Sequence, residues 1–417
     1  MKSASLRVPS ARYQPGGRCS SPRRQGLLPS PARRLTLLPP YLFVQIDALK
    51  EELVRQGKDV VDMGVGDPDE PTPRFILEAM VRALKDAGNH QYPSNRGLAS
   101  FREAIARWYK ARFGVTLDPA SEVLPLIGSK EGIAHLPLAY VNPGDRVLVP
   151  DPCYPPYRTG TILAGGKPVP VPLLARNKFL PNLDALRGKA RGAKLIFVNY
   201  PNNPTAAVAG LPFYRELVHW ARRTGVPVCH DAAYSELTFA GLKHPSFLQA
   251  PGAKEVGIEF HSLSKTFNMT GWRVGWVCGN REMVGALAKV KSNIDSGVFQ
   301  AVQVAGIQAL QAPDTHLRRM LRIYEARRDL LVSALRRGGW PVTPPKATFY
   351  LWAPIPKGRT SKEVSTALLQ QVAIVATPGV GFGDAGEGYV RFSLSVPTPR
   401  VAEAARRITS CVLSAQH

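Results

Sequence analysis

No apolar run in this chain is long enough to cross a bilayer. The longest are short and broken by proline or glycine, as buried strands are. Cysteine is scarce and odd in number: Cys19, Cys153, Cys229, Cys278 and Cys411. No pair has metal-ligand spacing, and the pattern fits reduced thiols in a cytosolic-type compartment better than a disulfide framework. Long internal repeats are absent. Acidic residues are outnumbered, 31 against 54 lysines and arginines, which leaves a net charge of +23. None occurs before Asp47, whereas residues 1–34 hold Lys2, Arg7, Arg12, Arg18, Arg23, Arg24, Arg33 and Arg34. Elsewhere the excess is spread, with no basic patch interleaved with aromatics. A nucleic-acid partner and a membrane are therefore not expected; dispersed charge bears mainly on solubility and non-specific contacts.

What is present is globular. With 417 residues, 44% of them hydrophobic, the chain can bury two or three cores. Residues 1–34 are the exception. Rich in Ser, Pro, Gly and Arg, they cannot pack a core and are expected to be a disordered basic extension. They lack the apolar segment of a secretory signal. Their acid-poor, Arg/Ser-rich composition is that of an organelle transit peptide, but their prolines oppose an amphipathic helix. A plain tail or an early start codon are the competing readings, and a cytoplasmic location is expected.

From Leu35 the chain acquires periodicity. "IDALKEELVRQG", "PRFILEAMVRALKDA" and "LASFREAIARWYKARFG" read as helices, two of them closed by glycine. "RVLVPDP", "KPVPVPL", "KLIFVNYP", "VPVCHD", "GIEFHSLSK" and "WRVGWVCG" are short β-rich runs, with helices such as "LPFYRELVHWARRTG" between several of them. That alternation predicts an α/β fold with a mostly parallel sheet covered by helices. Past residue 312, "THLRRMLRIYEARRDLLVSALRRGG" reads as one or two basic amphipathic helices. "FYLWAPIP", "VAIVATPG" and "YVRFSLS" then read as strands of a smaller α+β unit. The expected organisation is an N-terminal arm with part of the small domain over 35–69, a large domain over 70–311 and a small domain over 312–417.

Ligands of parallel sheets bind beyond the carboxyl ends of the strands. The polar residues of interest fall there. Lys265 stands in "HSLSKTFNMTGWRVGW" among Leu263, Phe267, Met269 and Trp272, an apolar setting in which lysine is rare unless paired or used. A desolvated amine can attack a carbonyl. Ser262, Ser264 and Arg273 beside it are suited to a phosphate. An imine-forming lysine next to a phosphate site suggests a phosphorylated aldehyde, pyridoxal phosphate. "GSKEGIAHLPLAYV" places Ser129 and Lys130 at a helix start, either an anion site or an ordinary cap. "VNYPNNPTA" sets Asn203, and "CHDAAYSE" sets Asp231 and Tyr234, at successive strand ends. A buried carboxylate facing a pyridine nitrogen keeps it protonated, which makes the ring an electron sink; Asn203 and Tyr234 can serve the ring oxygen. Singly, each of these residues is as well explained by turn or packing roles.

Together, the order GSK, DPxYPxY, PNNPT, DxAY, SxSKxxxxxGxR and YVRFSLS resembles the fold-type I, pyridoxal-phosphate-dependent aminotransferases of classes I and II, over about residues 35–410. The resemblance implies a seven-stranded sheet with a smaller α+β domain. It implies Lys265 as Schiff-base lysine and proton shuttle, and Asp231 as partner of the ring nitrogen. Asn203 and Tyr234 fall at the ring oxygen, Ser129, Lys130, Ser262, Ser264 and Arg273 at the phosphate, and Tyr154 on the ring face. It implies Arg391 as clamp of the substrate α-carboxylate and Gly66 over the substrate, with Lys130 and Asn203 also within substrate reach. Tyr92 and Asn293 resemble contacts made across a homodimer with shared sites. Within the class, "RLTLLPPYLFVQIDALKEELVRQGKDVVDMGVGDPDEPTP", "YPSNRGLASFREAIARWYKARFGVTLDP" and "PKATFYLWAPIP" are most similar to LL-diaminopimelate aminotransferases, which act between that diamino acid and 2-oxoglutarate on the route to lysine. Tyr41 would then close over the substrate. A broad aminotransferase for alanine, aspartate, methionine or aromatic donors, or a cysteine-conjugate β-lyase, is the alternative. Two positions depart from the usual pattern, Ala206 and Cys153, where relatives commonly carry glycine.

Overall fold

The computed structural model describes residues 30–38 and 44–410. The expectations for Tyr41 and for residues 1–29 lie outside the described residues. Arg33–Thr36 form one helical turn, and the Arg34 guanidinium donates to the Leu163 carbonyl at 3.2 Å.

A two-residue strand, β1 (Val61–Asp62), precedes the helices Arg74–Leu84 and Ala99–Phe113. The second of these ends where Gly114 takes φ +71°, a left-handed cap that glycine adopts without strain. Seven strands then build the main sheet: β2 (Val123–Leu126), β3 (Arg146–Asp151), β4 (Lys167–Pro172), β5 (Ala193–Asn199), β6 (Val228–Asp231), β7 (Gly257–Ser262) and β8 (Gly275–Gly279). Their spatial order is β2-β8-β7-β6-β5-β3-β4. β8 alone runs opposite to the other six strands. The sheet is the expected mostly parallel one. β2 was not anticipated from sequence, because "VLPL" is short and carries a proline.

The sheet is buried on both faces, and strand alternation assigns the faces. Val123, Leu148, Ile196, Val198, Val228, Trp276 and Cys278 belong to one apolar core, with the helices Ala99–Phe113 and Leu211–Thr224. Leu124, Val147, Val149, Leu195, Phe197, Cys229, Ile258, Phe260 and Val277 belong to the other, with Tyr157 and the helix Ser129–Tyr140. A third core gathers Val61 and Met63 with the C-terminal unit. That unit holds Thr315–Arg337 as one unbroken helix, the further helices Ser361–Val372 and Thr398–Ser410, and the strands β9 (Tyr350–Pro354), β10 (Ile374–Val375), β11 (Thr377–Pro378) and β12 (Tyr389–Ser393). β11-β12-β9 form an antiparallel sheet, while β1 pairs parallel with β10. Tyr234, Leu237 and Phe239 also enter this third core, so the chain just past β6 is packed against the C-terminal unit. Among the described residues no helix is long and apolar enough to cross a membrane.

Candidate active site

Topology brings three separated segments to one end of the sheet. Antiparallel β8 starts beside the end of β7 and the end of β2, since Gly275 pairs with both Ser262 and Leu126. Consequently Gly128-Ser129 after β2, Ser262 at the end of β7 and Arg273 before β8 meet there. The approach needs small residues. A Cβ on Gly275 would lie 2.5 Å from the His261 carbonyl and 3.0 Å from the Ser129 nitrogen. One on Gly128, at φ +75°, would lie 2.4 Å from the Arg273 guanidinium.

Ser129, Ser262 and Arg273 line a cleft of about 750 Å³ together with Gly66, Lys130, Tyr154, Asn203, Asp231, Tyr234, Ser264, Lys265 and Arg391. Twelve of the sequence-expected site residues are thus in one place. The cleft wall carries four cationic side chains, Lys130, Lys265, Arg273 and Arg391, against two carboxylates, Asp47 and Asp231. That balance suits a ligand bearing a phosphate and a carboxylate.

The corner formed by Ser129, Ser262 and Arg273 is built from backbone as well as side chains. The helix Ser129–Tyr140 has Gly128 at its N-cap and no capping side chain, so Ser129 is the first helical residue rather than the cap. Its free N–H groups point out of the helix end, an anion site. Ser262 Oγ accepts from the Ser264 N–H at 3.1 Å, which tightens the turn before Lys265. The Arg273 guanidinium donates to the Thr270 carbonyl at 2.7 Å and has φ +53°, a left-handed conformation uncommon for arginine.

Lys265 donates to the Gly66 carbonyl at 2.8 Å and lies 5.4 Å from the centre of the Phe349 ring. Burial pushes its ammonium down to about 8, against the attraction of Asp67. A useful fraction of neutral amine is therefore available near neutral pH. Asp231 is buried; Oδ2 accepts from Tyr157 at 2.7 Å and Oδ1 from the Ala233 N–H at 3.1 Å. Burial raises this carboxyl above its usual range, and the two donors pull the other way. Each oxygen keeps a free lone pair, so a protonated ring nitrogen fits. Asn203 is placed by Asn199, whose Oδ1 accepts the Asn203 N–H at 2.8 Å and whose Nδ2 donates to the Asp231 carbonyl at 2.8 Å.

Arg391 is buried on β12, with Nη1 donating to Asn203 Oδ1 at 2.8 Å and Nη2 to the Gly64 carbonyl at 2.6 Å. Its guanidinium lies 4.2 Å from the Tyr350 ring centre and 4.6 Å from that of Phe382. Among the described residues, its Nε has no hydrogen-bond partner and no carboxylate neutralises it. A buried cation held by neutral acceptors and ring faces is suited to take a carboxylate.

Tyr92 and Asn293 do not reach the cleft of their own chain. Tyr92 is 89% exposed, and exposed Asn293 bonds, among the described residues, only to its own helix end and Ser292. Their loops do touch each other: a Cβ on Gly297 would meet the Ser94 carbonyl at 3.0 Å. Sequence reasoning missed Tyr157, Asn199, Tyr350 and Phe382. Tyr157 was within reach, as the second tyrosine of "DPCYPPY". Tyr350 bonds the Tyr234 hydroxyl at 3.1 Å, and a Cβ on Gly66 would fall 1.9 Å from its oxygen. Nothing in "TFYLW" marks it. Of the two departures, Cys153 is buried with its N–H on the Phe382 carbonyl at 2.8 Å, whereas Ala206 adopts φ +58°.

The family model for aminotransferase class I and II matches residues 58–408. The chain is 55% identical over 382 residues to LL-diaminopimelate aminotransferase of Desulforudis audaxviator, covering 91% of this chain and 97% of that one. It is 53% identical over 378 residues to the Moorella thermoacetica protein of the same name, at 90% and 97% coverage. Among solved structures, substrate-bound BacF of Bacillus subtilis superposes with TM-score 0.88 at 35% identity, over 93% of this chain and all of that one. A probable N-succinyldiaminopimelate aminotransferase of Thermus thermophilus does so with TM-score 0.84 at 37% identity, over 89% and 100%.

Proposed function

Because this chain belongs to the class I and II aminotransferases, pyridoxal-phosphate-dependent transaminases, we propose that it transfers an amino group between LL-2,6-diaminopimelate and 2-oxoglutarate, in lysine biosynthesis. The observation that carries the transaminase chemistry is the Lys265 amine, lowered to about 8, in one cleft with Asp231 and Arg391. Support for the diaminopimelate substrate is the whole-length likeness to enzymes of that name.

Bound there, pyridoxal phosphate supplies an electron sink that stabilises negative charge at the substrate Cα. The protein's own residues do the rest. Lys265 holds the aldehyde and afterwards carries the proton from Cα. Asp231, oriented by Tyr157, keeps the ring nitrogen protonated. Asn203 and Tyr234 serve the ring oxygen, and Tyr154 covers the ring face. Ser129, Lys130, Ser262, Ser264 and Arg273 grip the phosphate. Arg391 pairs with the α-carboxylate, and Gly66, whose lack of a side chain admits the Tyr350 hydroxyl, lies over the substrate. We place Tyr92 and Asn293 in the partner's site of a homodimer. The free, buried thiols of Cys153, Cys229 and Cys278 support a cytoplasmic, reducing setting.

A half-reaction screen tests the substrate. Single amino acids are mixed with the loaded enzyme, and the cofactor spectrum is followed as the amino group is transferred. LL-diaminopimelate is expected to react fastest. If it is inert while alanine, aspartate, methionine or aromatic donors react, the enzyme is a transaminase of different range. Release of pyruvate and ammonia from a cysteine conjugate would make it a β-lyase.

A further inference from the structure

Asp231 and Ser262 leave the sheet at the ends of β6 and β7. Each directly follows a histidine, and both histidines are bound to one carboxylate. Glu259, in the middle of β7, has no solvent exposure. Its Oε2 accepts from His230 Nδ1 and from the Phe247 N–H, both at 2.8 Å. Its Oε1 accepts from the Tyr109 hydroxyl at 2.8 Å, Ser246 Oγ at 2.7 Å and His261 Nε2 at 3.0 Å. An ionised carboxylate only accepts, so the ring nitrogens facing it carry protons. Burial alone would raise this carboxyl, yet the two histidine hydrogen bonds hold it well below its usual range.

The parallel register pairs His230 with Glu259 and Asp231 with Phe260. Alternation therefore puts His230, Glu259 and His261 on the face shared with Tyr109, Tyr214 and Trp276. Asp231 and Ser262 project to the opposite face, with Phe260 and Tyr157. The histidines are locked on their far sides too. His230 Nε2 meets the Tyr214 hydroxyl at 3.1 Å, and His261 stacks on Trp276 at 5.3 Å with the rings 4° apart. Consecutive strand residues share a peptide unit, so a displaced histidine displaces the site residue that follows it.

We propose that Glu259 is a positioning residue for cofactor binding: by gripping His230 and His261 from behind the sheet, it sets where Asp231 and Ser262 stand in the cleft. The proposal rests on the reading that those two residues contact the ring nitrogen and the phosphate. A buried carboxylate is the group for this task because it is directional. An apolar side chain of equal volume would fill the space without fixing either strand end.

The test compares Glu259→Gln, which keeps the shape but turns one oxygen into a donor facing donors, with Tyr109→Phe. The latter removes one donor from the Ala99–Phe113 helix and leaves both histidine bonds. Pyridoxal phosphate is titrated into apoenzyme by tryptophan fluorescence; the visible absorption maximum of the loaded protein and its Tm are also read. Glu259→Gln should raise the cofactor Kd by roughly tenfold or more, the scale on which groups behind a site's first contacts act, and move the visible maximum. Tyr109→Phe should lower Tm and leave both cofactor readouts unchanged. A folded Glu259→Gln protein with wild-type Kd and maximum overturns the proposal. So does a Tyr109→Phe protein whose Kd rises as far, because the effect would then be one of packing. If Glu259→Gln fails to fold, His261→Asn, which breaks only the link that holds the Ser262 end of β7, is expected to raise Kd, and an unchanged Kd refutes the idea. Ser262→Ala and Asp231→Ala check the underlying reading separately: if neither weakens cofactor binding or alters the spectrum, that reading has failed whatever Glu259 does.

Discussion

Arg391→Lys keeps the charge of the proposed carboxylate clamp and removes its geometry. In the wild type the guanidinium spans Asn203 and Gly64 at 2.8 and 2.6 Å while lying between two rings, 4.2 and 4.6 Å from their centres. A lysine ammonium is a point charge that cannot present two parallel donors or stack flat against both rings. Leaving a buried charge without its partner costs about 2–5 kcal/mol. Because the charge survives here, the lower end applies to the lost fork, with about 0.5–1 kcal/mol more for the lost cation–π contact. The sum, about 2.5–3 kcal/mol, corresponds to a loss of roughly 60- to 150-fold in kcat/KM at 1.4 kcal/mol per tenfold. The assay is single-turnover transfer from a panel of donors to the loaded enzyme, with cofactor content checked beforehand. The loss should be similar for diaminopimelate, glutamate and alanine, since each presents the same α-carboxylate. A loss confined to diaminopimelate would show that Arg391 reads the distal end of the substrate, and the clamp argument would be wrong.

Three further outcomes are expected. Lys265 is charged in its buried site below about pH 8 and neutral above it, while the unfolded lysine stays protonated to 10.5. Covalent loading of apoenzyme should therefore accelerate with a midpoint near 8. Apoenzyme stability should gain between those two values, as the cost of burying the ammonium is relieved; a loading midpoint near 10.5 would contradict this. Ala206 sits at φ +58° in a turn closed by its own N–H on the Asn202 carbonyl at 2.9 Å. Ala206→Gly should relieve about 1 kcal/mol of left-handed strain, less the added freedom of the unfolded glycine, and raise the urea midpoint slightly; a lower midpoint would count against the strain. Finally, mixing a Tyr92→Ala chain with a Lys265→Ala chain should restore part of the activity, because one hybrid site keeps both residues; subunit exchange without rescue would remove Tyr92 from the partner's site.

The local chemistry was legible in the sequence because the chain repeats one device. Strand ends carry the polar residues, and alternation of short β runs with helices requires a parallel sheet that gathers those ends. Lys265, Asp231 and Asn203 could be chosen from "SLSK", "CHDAAY" and "PNNPT" because a phosphorylated aldehyde calls for those side-chain types. Arg391 came only from the family resemblance, since "YVRFS" is otherwise an ordinary strand. What sequence could not supply was anything that depends on two segments meeting. The antiparallel return of β8, which sets Arg273 beside Ser129, is a property of sheet order. Tyr350 over Gly66, the ring faces around Arg391 and the five donors converging on Glu259 come from positions far apart in the chain. Even the left-handed turn at Ala206 is signalled only by the glycine that relatives commonly carry there, because alanine itself announces no special backbone. Periodicity reports which face of an element is buried; only packing decides what that face is buried against.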